Sequence, residues 1–144
     1  MEILMGYTFE PKEPHAKALV ANARVSTKNA EVVCRVVRGK KLTTARRLLE
    51  GLADGTRDLD GKYYTNAAEE LLSLLNSCEK NAENKNLDKG KLFFHASASE
   101  GTHARRGRRK GSFGSRMKMT NMEVMLIQHG TGSPQAKAKK PAKS

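Results

Sequence analysis

The sequence predicts an α+β fold in which a small antiparallel sheet is packed by three helices and carries a long protruding β-hairpin and a disordered basic tail. Three segments repeat apolar residues at helical spacing, two later segments alternate apolar and polar residues, and a Gly-, Ser- and Arg-rich stretch joins those two. The 144 residues suffice for one such domain, which we expect over residues 1–130, with a Lys-rich low-complexity tail over 131–144.

A weak strand is predicted first, over residues 16–25. Its apolar residues alternate, so that Leu19 and every second residue up to Val25 would share one buried face. Ser26 follows directly and is the expected N-cap of the first helix, because its hydroxyl can accept a hydrogen bond from an unpaired backbone N–H.

Two amphipathic helices come next. The first has an apolar stripe from Ala30 to Val37 and ends at Gly39. The second extends over about residues 43–53, with leucines at the same spacing, and ends at Gly55. Their basic residues lie off these stripes, so we expect one apolar face on each helix to cover the sheet.

A third and longer helix is predicted to begin near Thr65 or Asn66. Asn66 and Glu69 have the spacing of a capping box, in which each side chain satisfies the backbone N–H of the other residue. The apolar stripe then continues to Ala82. Three such helices require an apolar sheet face to pack against.

Two strands near the end of the chain are expected to supply that face. Residues 91–100 alternate as in a half-buried strand, and residues 118–129 form a more apolar strand. The 17 residues between them, 101–117, are too many for an ordinary tight turn and are rich in Gly, Ser and Arg. If the strand pairing continues outward, this segment forms a protruding β-hairpin.

The positive charge is concentrated in the last third of the chain. The formal net charge is +12, of which residues 1–100 contribute +2 and residues 101–144 contribute +10. A charge that only maintained solubility would be spread more evenly. The asymmetry therefore predicts a nearly neutral body with a basic arm and tail that bind a polyanion.

Nucleic acid is the leading polyanion, ahead of an acidic membrane surface. Residues 101–118 contain seven Lys or Arg residues and no acid, and Arg suits bidentate phosphate contacts. The glycines permit close backbone approach, and Phe113 can stack on a base. RNA is favoured over DNA because the sequence contains no helix-turn-helix, zinc-finger or basic-zipper pattern.

Several motifs in a fixed order also carry a family resemblance. They are Val25–Lys28 before the first helix, Val36–Lys40 at its end, Asn81–Asp88, the basic hairpin with Phe113-Gly114, and the closing strand Met122–Leu126. Together they resemble the ribosomal protein L22 family of the large subunit, over roughly residues 7–129. The opening Tyr7-Thr8-Phe9 is similar to the archaeal and eukaryotic branch of that family.

The resemblance implies a structural constituent of the large ribosomal subunit, located on cytoplasmic ribosomes. Its partners would be large-subunit rRNA and the neighbouring large-subunit proteins around the polypeptide exit tunnel. The body would lie on the exterior of the subunit, and the hairpin, about residues 97–121, would extend inward so that its tip contributes to the tunnel wall. The protein would thereby support subunit assembly, without a cofactor or a small-molecule substrate.

Two sets of candidate residues follow from the resemblance and from the basic segment. The expected rRNA contacts are Arg24, Ser26, Lys28, Arg38, Lys40, Lys41, His103, Arg105, Arg106, Arg108, Arg109, Lys110, Arg116 and Lys118. The expected tunnel-tip residues are Gly111, Ser112, Phe113 and Gly114.

Other chemistry is less well supported by the sequence. The four histidines fall in different segments, so an acid–base pair is not expected, and the chain is predicted not to be an enzyme. Cys34 and Cys78 lie on apolar stripes and lack further ligands, so we expect buried thiols and no metal site. The alternative function is a free-standing protein that compacts RNA or DNA without a fixed site. Neither a signal peptide nor a membrane-spanning segment is expected.

Overall fold

A computed structural model describes residues 8–108 and 110–130. In chain order the elements are β1 (His15–Ala23), α1 (Thr27–Val37), α2 (Leu42–Asp54), α3 (Thr65–Asn84), a 3-10 turn (Lys89–Lys91), β2 (Leu92–Glu100), β3 (Ala104–Arg105), β4 (Arg116–Met117) and β5 (Thr120–Gln128). The predicted α+β class with three helices and a small antiparallel sheet is confirmed. The predicted tail and Arg109 lie outside the described residues.

The main sheet has three antiparallel strands in the order β1-β5-β2. β5 lies in the centre, and its pairing with β2 extends from Leu92↔Gln128 to Glu100↔Thr120 without a break. One face of the sheet packs against the helices, with α3 crossing β1 and β5 and α1 lying on β2. Its buried residues on β5 are Met122, Val124 and Leu126. The predicted apolar stripes of all three helices lie in this core.

The prediction for the buried face of β1 is wrong in its first half. Ala16 and Ala18 are buried and Leu19 is partly exposed, whereas the buried residues after the irregularity are Ala23 and Val25. The pairing register with β5 shifts between Val20 and Ala23. An extra residue in a strand moves every later side chain to the opposite face, so the strict alternation that we assumed ends at this bulge.

The structure confirms the predicted starts of α1 and α3 and corrects their predicted capping contacts. Ser26 occupies the N-cap of α1, as predicted, but its side chain makes no capping hydrogen bond. α3 begins at Thr65, one of the two predicted starts, so Asn66 lies inside the first turn and does not form the predicted capping box with Glu69. The N-cap of α3 is Tyr64, whose left-handed backbone (φ 49°) turns the chain into the helix.

Short connections cover the outer edge of β2. The chain turns at Gly39 (φ +78°), a conformation that glycine adopts without a Cβ clash, and then pairs with β2. The N–H of Gly39 donates to the carbonyl of Phe94 at 2.8 Å, and the N–H of Phe94 donates to the carbonyl of Lys40 at 2.8 Å. The Arg38 guanidinium donates to the next outward carbonyl, that of Ala96, at 3.0 Å.

Side chains at the end of α3 and at its C-cap cover part of the outer edge of β1 in the same way. The Asn81 amide donates to the carbonyl of Lys17 at 2.9 Å, and the Lys85 ammonium donates to the carbonyl of His15 at 3.0 Å. Both bonds join residues more than 60 positions apart in the chain. They fix α3 against β1.

The face of the sheet away from the helices is covered by residues before β1. Glu123 is buried there, and both of its carboxylate oxygens accept hydrogen bonds from the backbone N–H of Thr8, at 3.1 and 3.2 Å. The hydroxyl of Ser97 also donates to Glu123. The rings of Phe9 and His95 contact each other with centroids 5.3 Å apart. These contacts satisfy the single acidic residue of β5 without a cation.

The two cysteines are buried, as predicted. Burial is the main cause that raises the pKa of both Cys34 and Cys78 to about 12, so both thiols stay neutral and unreactive at physiological pH. Over residues 8–108 and 110–130, no group of three His, Cys, Asp or Glu residues is arranged to hold a metal ion. No helix in those ranges has the length and apolarity needed to cross a bilayer.

Candidate nucleic-acid interface

The predicted basic hairpin extends from the end of the sheet, and we call residues 101–119 the arm. Pairing of β2 with β5 ends at Glu100↔Thr120, and the N–H of Gly101 still donates to the carbonyl of Met119 at 2.9 Å. β3 and β4 then form a separate two-stranded ribbon. Three residues on the outgoing side, 101–103, face two on the returning side, 118–119, so a one-residue bulge separates the ribbon from the sheet.

The tip of the arm is a hydrogen-bonded turn that presents an aromatic ring. The N–H of Arg106 donates to the carbonyl of Ser115 at 2.9 Å, and the hydroxyl of Ser115 donates to the carbonyl of Ser112 at 2.8 Å. Gly111 and Gly114 have positive φ angles within this turn. Phe113 lies between them and is 75% exposed, so its ring is available for stacking.

Asn22 fixes the base of the arm to the body. It has a left-handed backbone (φ 57°) at the β1 bulge, and its N–H donates to the side-chain oxygen of Asn121 at 2.9 Å. Its own side-chain oxygen accepts from the N–H of Thr102 at 2.8 Å. One residue of β1 therefore contacts both strands of the hairpin where the arm begins. This residue was not singled out in the sequence, where an Asn in a weak strand gives no signal of a bulge.

Thr120 adds a second connection between the hairpin and the start of α1. It is fully buried, and its hydroxyl donates to the carbonyl of Val25 at 2.8 Å. The same hydroxyl lies 2.9 Å from that of Thr27. The beginning of α1 and the base of the arm are thus held together by buried polar contacts, which are worth more than exposed ones.

Replacing Gly101 with Ala is expected to destabilise this junction by about 1–3 kcal/mol. A Cβ at position 101 would lie 2.8 Å from the Asn22 side-chain oxygen and 2.9 Å from the backbone carbon of Met119, both too close. Gly107→Ala is the matched control, because a Cβ there has no neighbour within 4 Å and the residue lies in the same arm. Urea denaturation measures the two free energies of unfolding, and equal values would contradict the described junction.

A basic cleft lies between the arm and the body. Its largest part, of about 610 Å³, is lined by residues around the starts of α1 and α3 on one side and by residues of the arm on the other. Two smaller hollows continue it, one along the start of α1 and one beside the outer arm. Met117 lines all three, so they are adjacent, and we call them together the cleft.

The charge of the cleft is strongly positive. Its Lys and Arg residues are Arg24, Lys28, Lys62, Arg106, Arg108, Arg116 and Lys118. Among the residues that the structure describes, its one carboxylate belongs to Glu100, which pairs with Arg116. Neither α1 nor α3 has an acidic residue in its first turn, so the positive ends of both helix dipoles add to the potential. Such a surface attracts phosphate groups.

The structure brings together about half of the predicted rRNA-binding residues. Arg24, Ser26, Lys28, Arg106, Arg108, Arg116 and Lys118 line the cleft. His103, Arg105 and Lys110 lie elsewhere on the arm.

The predicted helix-end residues do not join this surface. Arg38, Lys40 and Lys41 lie along the outer edge of β2, where backbone pairing or the guanidinium contact with Ala96 holds them. They form a second basic segment on the opposite side of the sheet order from β1.

Several polar or aromatic residues of the cleft were missed in the sequence, among them Asn29, Lys62, Tyr64 and Asn66. Lys62 and Tyr64 belong to the loop before α3, more than 35 residues before the arm that they face. The Lys62 ammonium donates to the Asn29 side-chain oxygen at 3.1 Å and lies 4.9 Å from the centre of the Tyr64 ring. No local sequence pattern predicts such a contact, since a single Lys in a turn is ordinarily solvated.

The histidines do not form a catalytic pair. His15 contacts the backbone of Glu13, His95 contacts Phe9, and His129 pairs with Glu13 at 2.5 Å. Burial is the main cause that lowers the pKa of His95, which favours its neutral form. His103 lies on the arm, apart from these contacts.

The sequence is similar to one protein family and to individual members of it. Residues 18–126 match the family described as Ribosomal protein L22p/L17e. The chain is 32% identical to the large ribosomal subunit protein uL22 of Archaeoglobus fulgidus, over 67% of this chain and 77% of the relative. It is 33% identical to that of Ignicoccus hospitalis, over 79% and 88%, and 28% identical to that of Thermoplasma acidophilum, over 89% and 98%. The resemblance to the archaeal type is confirmed, and the chain belongs to the ribosomal protein L22p/L17e family.

Proposed function

We propose that this protein is a structural constituent of the large ribosomal subunit and binds large-subunit rRNA in the cytoplasm. Membership of a ribosomal protein family supports this function and confirms the prediction that the chain is not an enzyme. The observation that carries the rRNA contact is the cleft, which is lined by seven cations from body and arm and, among the described residues, by one carboxylate that is already paired with Arg116. Neutralisation of phosphates and release of their counterions would drive the association.

We further propose that the body lies on the exterior of the subunit near the polypeptide exit tunnel, with the tip of the arm in the tunnel wall. The shape of the tip supports its proposed place in the tunnel wall, because the ring of Phe113 and the flanking cations are exposed at the end of a two-stranded ribbon. Neighbouring large-subunit proteins around the tunnel would contact the tip together with rRNA. The remaining cations of the arm would contact rRNA along its length.

The geometry supports a role in assembly. Asn22 and Thr120 fix the arm relative to α1, so phosphates bound by the arm and by the body are held at a defined separation. Arg38, Lys40 and Lys41 offer a second contact on another edge of the sheet. A protein with two separated basic surfaces can bridge two rRNA segments and stabilise their relative positions. This would make it an architectural element of the subunit.

Sedimentation of a cell lysate through a sucrose gradient tests the proposed function. The protein is expected to migrate with the large subunit at moderate salt and to remain there at high salt, because a bound shape-specific interface includes contacts beyond phosphate neutralisation. Migration in light fractions, or release at modest salt, would overturn the proposal in favour of a free-standing nucleic-acid-compacting protein, whose binding is electrostatic and sequence-tolerant.

A further inference from the structure

We propose that the largest part of the cleft binds an unpaired strand of RNA and excludes a duplex. The inference deepens the proposed function and rests on it, since it specifies which form of RNA the body holds. It concerns the region of about 610 Å³ between the arm and the starts of α1 and α3.

The cations of this region come from separate elements and face one space. Arg24 lies between β1 and α1, Lys62 in the loop before α3, and Arg106 and Arg116 on the two sides of the arm. None of the residues that line it within 8–108 and 110–130 is acidic. Cations spread around one space match a chain of successive phosphates better than a single small anion, which would use one or two of them.

The size of the region favours a single strand over a duplex. A volume of about 610 Å³ lies within the range of about 300–1,000 Å³ that holds single small molecules, and so it has room for a strand of one or two nucleotides. A double helix of RNA instead presents a wide and shallow groove with phosphates on either side, and proteins bind it with broad surfaces. A recess between two parts of the protein is therefore suited to a strand whose bases are unpaired.

The uncharged residues of the region have the chemistry that recognises such a strand. Asn29 and Asn66 offer amide groups, and Ser26 and Thr65 offer hydroxyls, which can bond the ribose 2′-hydroxyl and the edges of an unpaired base. Tyr64 adds an aromatic ring to the wall, and its neighbour Tyr63 is 49% exposed. Stacking on aromatic rings is a common way to hold unpaired bases.

Lys62 is a cation of this region that is held in place and is also exposed. Its ammonium group is oriented by Asn29 and by the Tyr64 ring, so it is placed at the wall of the region before RNA binds. A preset cation loses less conformational entropy on binding than a free one. Lys62 is also exposed, and so its substitution is not expected to affect folding.

The test compares Lys62→Gln with Arg47→Gln in the full chain by fluorescence anisotropy. Arg47 is an exposed cation of α2 outside the cleft, so both variants lose one charge. The probes are a labelled oligouridine of about ten nucleotides and an RNA duplex of the same length. Relative to Arg47→Gln, we expect Lys62→Gln to bind oligouridine about fivefold to tenfold more weakly and to have a salt slope smaller by about 0.7. The variant Lys62→Arg, which keeps the charge, should retain most of the affinity of the unaltered protein. Duplex binding should be the same for both Gln variants.

Two results would overturn the inference. Equal oligouridine affinities of Lys62→Gln and Arg47→Gln would remove Lys62 from the site, and a duplex affinity that falls as much as the oligouridine affinity would show that the site does not distinguish strands. Binding of the unaltered protein to large-subunit rRNA, compared with an unrelated RNA of equal length, is measured in parallel. A preference for large-subunit rRNA together with either of those results would reject the unpaired-strand site and leave the proposed function intact.

Discussion

Replacing residues 102–118 with an Asn-Gly turn is expected to weaken binding to large-subunit rRNA by about a thousandfold at physiological salt. The replacement removes seven Lys and Arg residues and one wall of the cleft. The body should remain folded. Gly101 and Met119, which flank the replaced segment, are already hydrogen-bonded, and a two-residue turn can close two antiparallel strands. Filter binding over a range of salt concentrations measures both the affinity and the loss of phosphate contacts.

The matched control keeps the arm and removes three of its seven positive charges. Substituting Gln for Arg105, Arg106 and Arg108 preserves the length of the ribbon and should reproduce part of the loss, with a shallower salt dependence. Thermal unfolding of both proteins establishes that the body is intact. Unchanged rRNA affinity after replacement of the arm would contradict the proposed function of the arm, whatever the affinity of the charge variant.

Phe94→Ala is expected to have the largest effect on stability, a loss of about 3–5 kcal/mol in the free energy of unfolding. Phe94 is 1% exposed, is among the largest fully buried side chains, and belongs to the core between the sheet and the helices. Its removal leaves a cavity that the surrounding strands cannot close, because Phe94 is also paired through its backbone with Gly39 and Lys40. Calorimetry should show a fall of about 10–15 °C in Tm.

Phe113→Ala provides the comparison, since the same chemical change is made at a side chain that is 75% exposed. Its Tm should equal that of the unaltered protein, because little apolar surface is buried there. If Phe113 stacks on rRNA, the loss appears instead as an affinity lower by about 1–3 kcal/mol. A fall in Tm for Phe113→Ala as large as that for Phe94→Ala would contradict the exposed tip.

Elements with a sustained periodicity could be predicted from the sequence, and single-residue features could not. The stripes of α1, α2 and α3 appear because many apolar residues repeat at one spacing, so one misplaced residue does not change the outcome. β1 lacks this redundancy. One extra residue at Asn22 reversed its buried face, and an Asn that adopts a left-handed backbone leaves no pattern in the surrounding residues.

The candidate site shows the same limit. The cations of the arm were found because they are adjacent in the chain, and Arg24 and Lys28 because they flank a helix start that resembles a family motif. Lys62 reaches the cleft only through the folded loop before α3, which the tertiary structure brings beside the arm. Long-range juxtaposition of this kind depends on packing between elements, for which local spacing carries no information.

The occupied edges of the main sheet have a consequence for the protein before it reaches its site. A strand edge with free N–H and C=O groups pairs readily with another chain, and this is a common route to aggregation. Here two outer carbonyls of β1 are bonded by Asn81 and Lys85, and two of β2 by Gly39 and Arg38. A newly made copy that has not yet met RNA thus offers few sites for strand addition, and its arm repels the arms of other copies by charge. Solubility in the unassembled state is therefore a property of the body's hydrogen bonding as well as of the net charge.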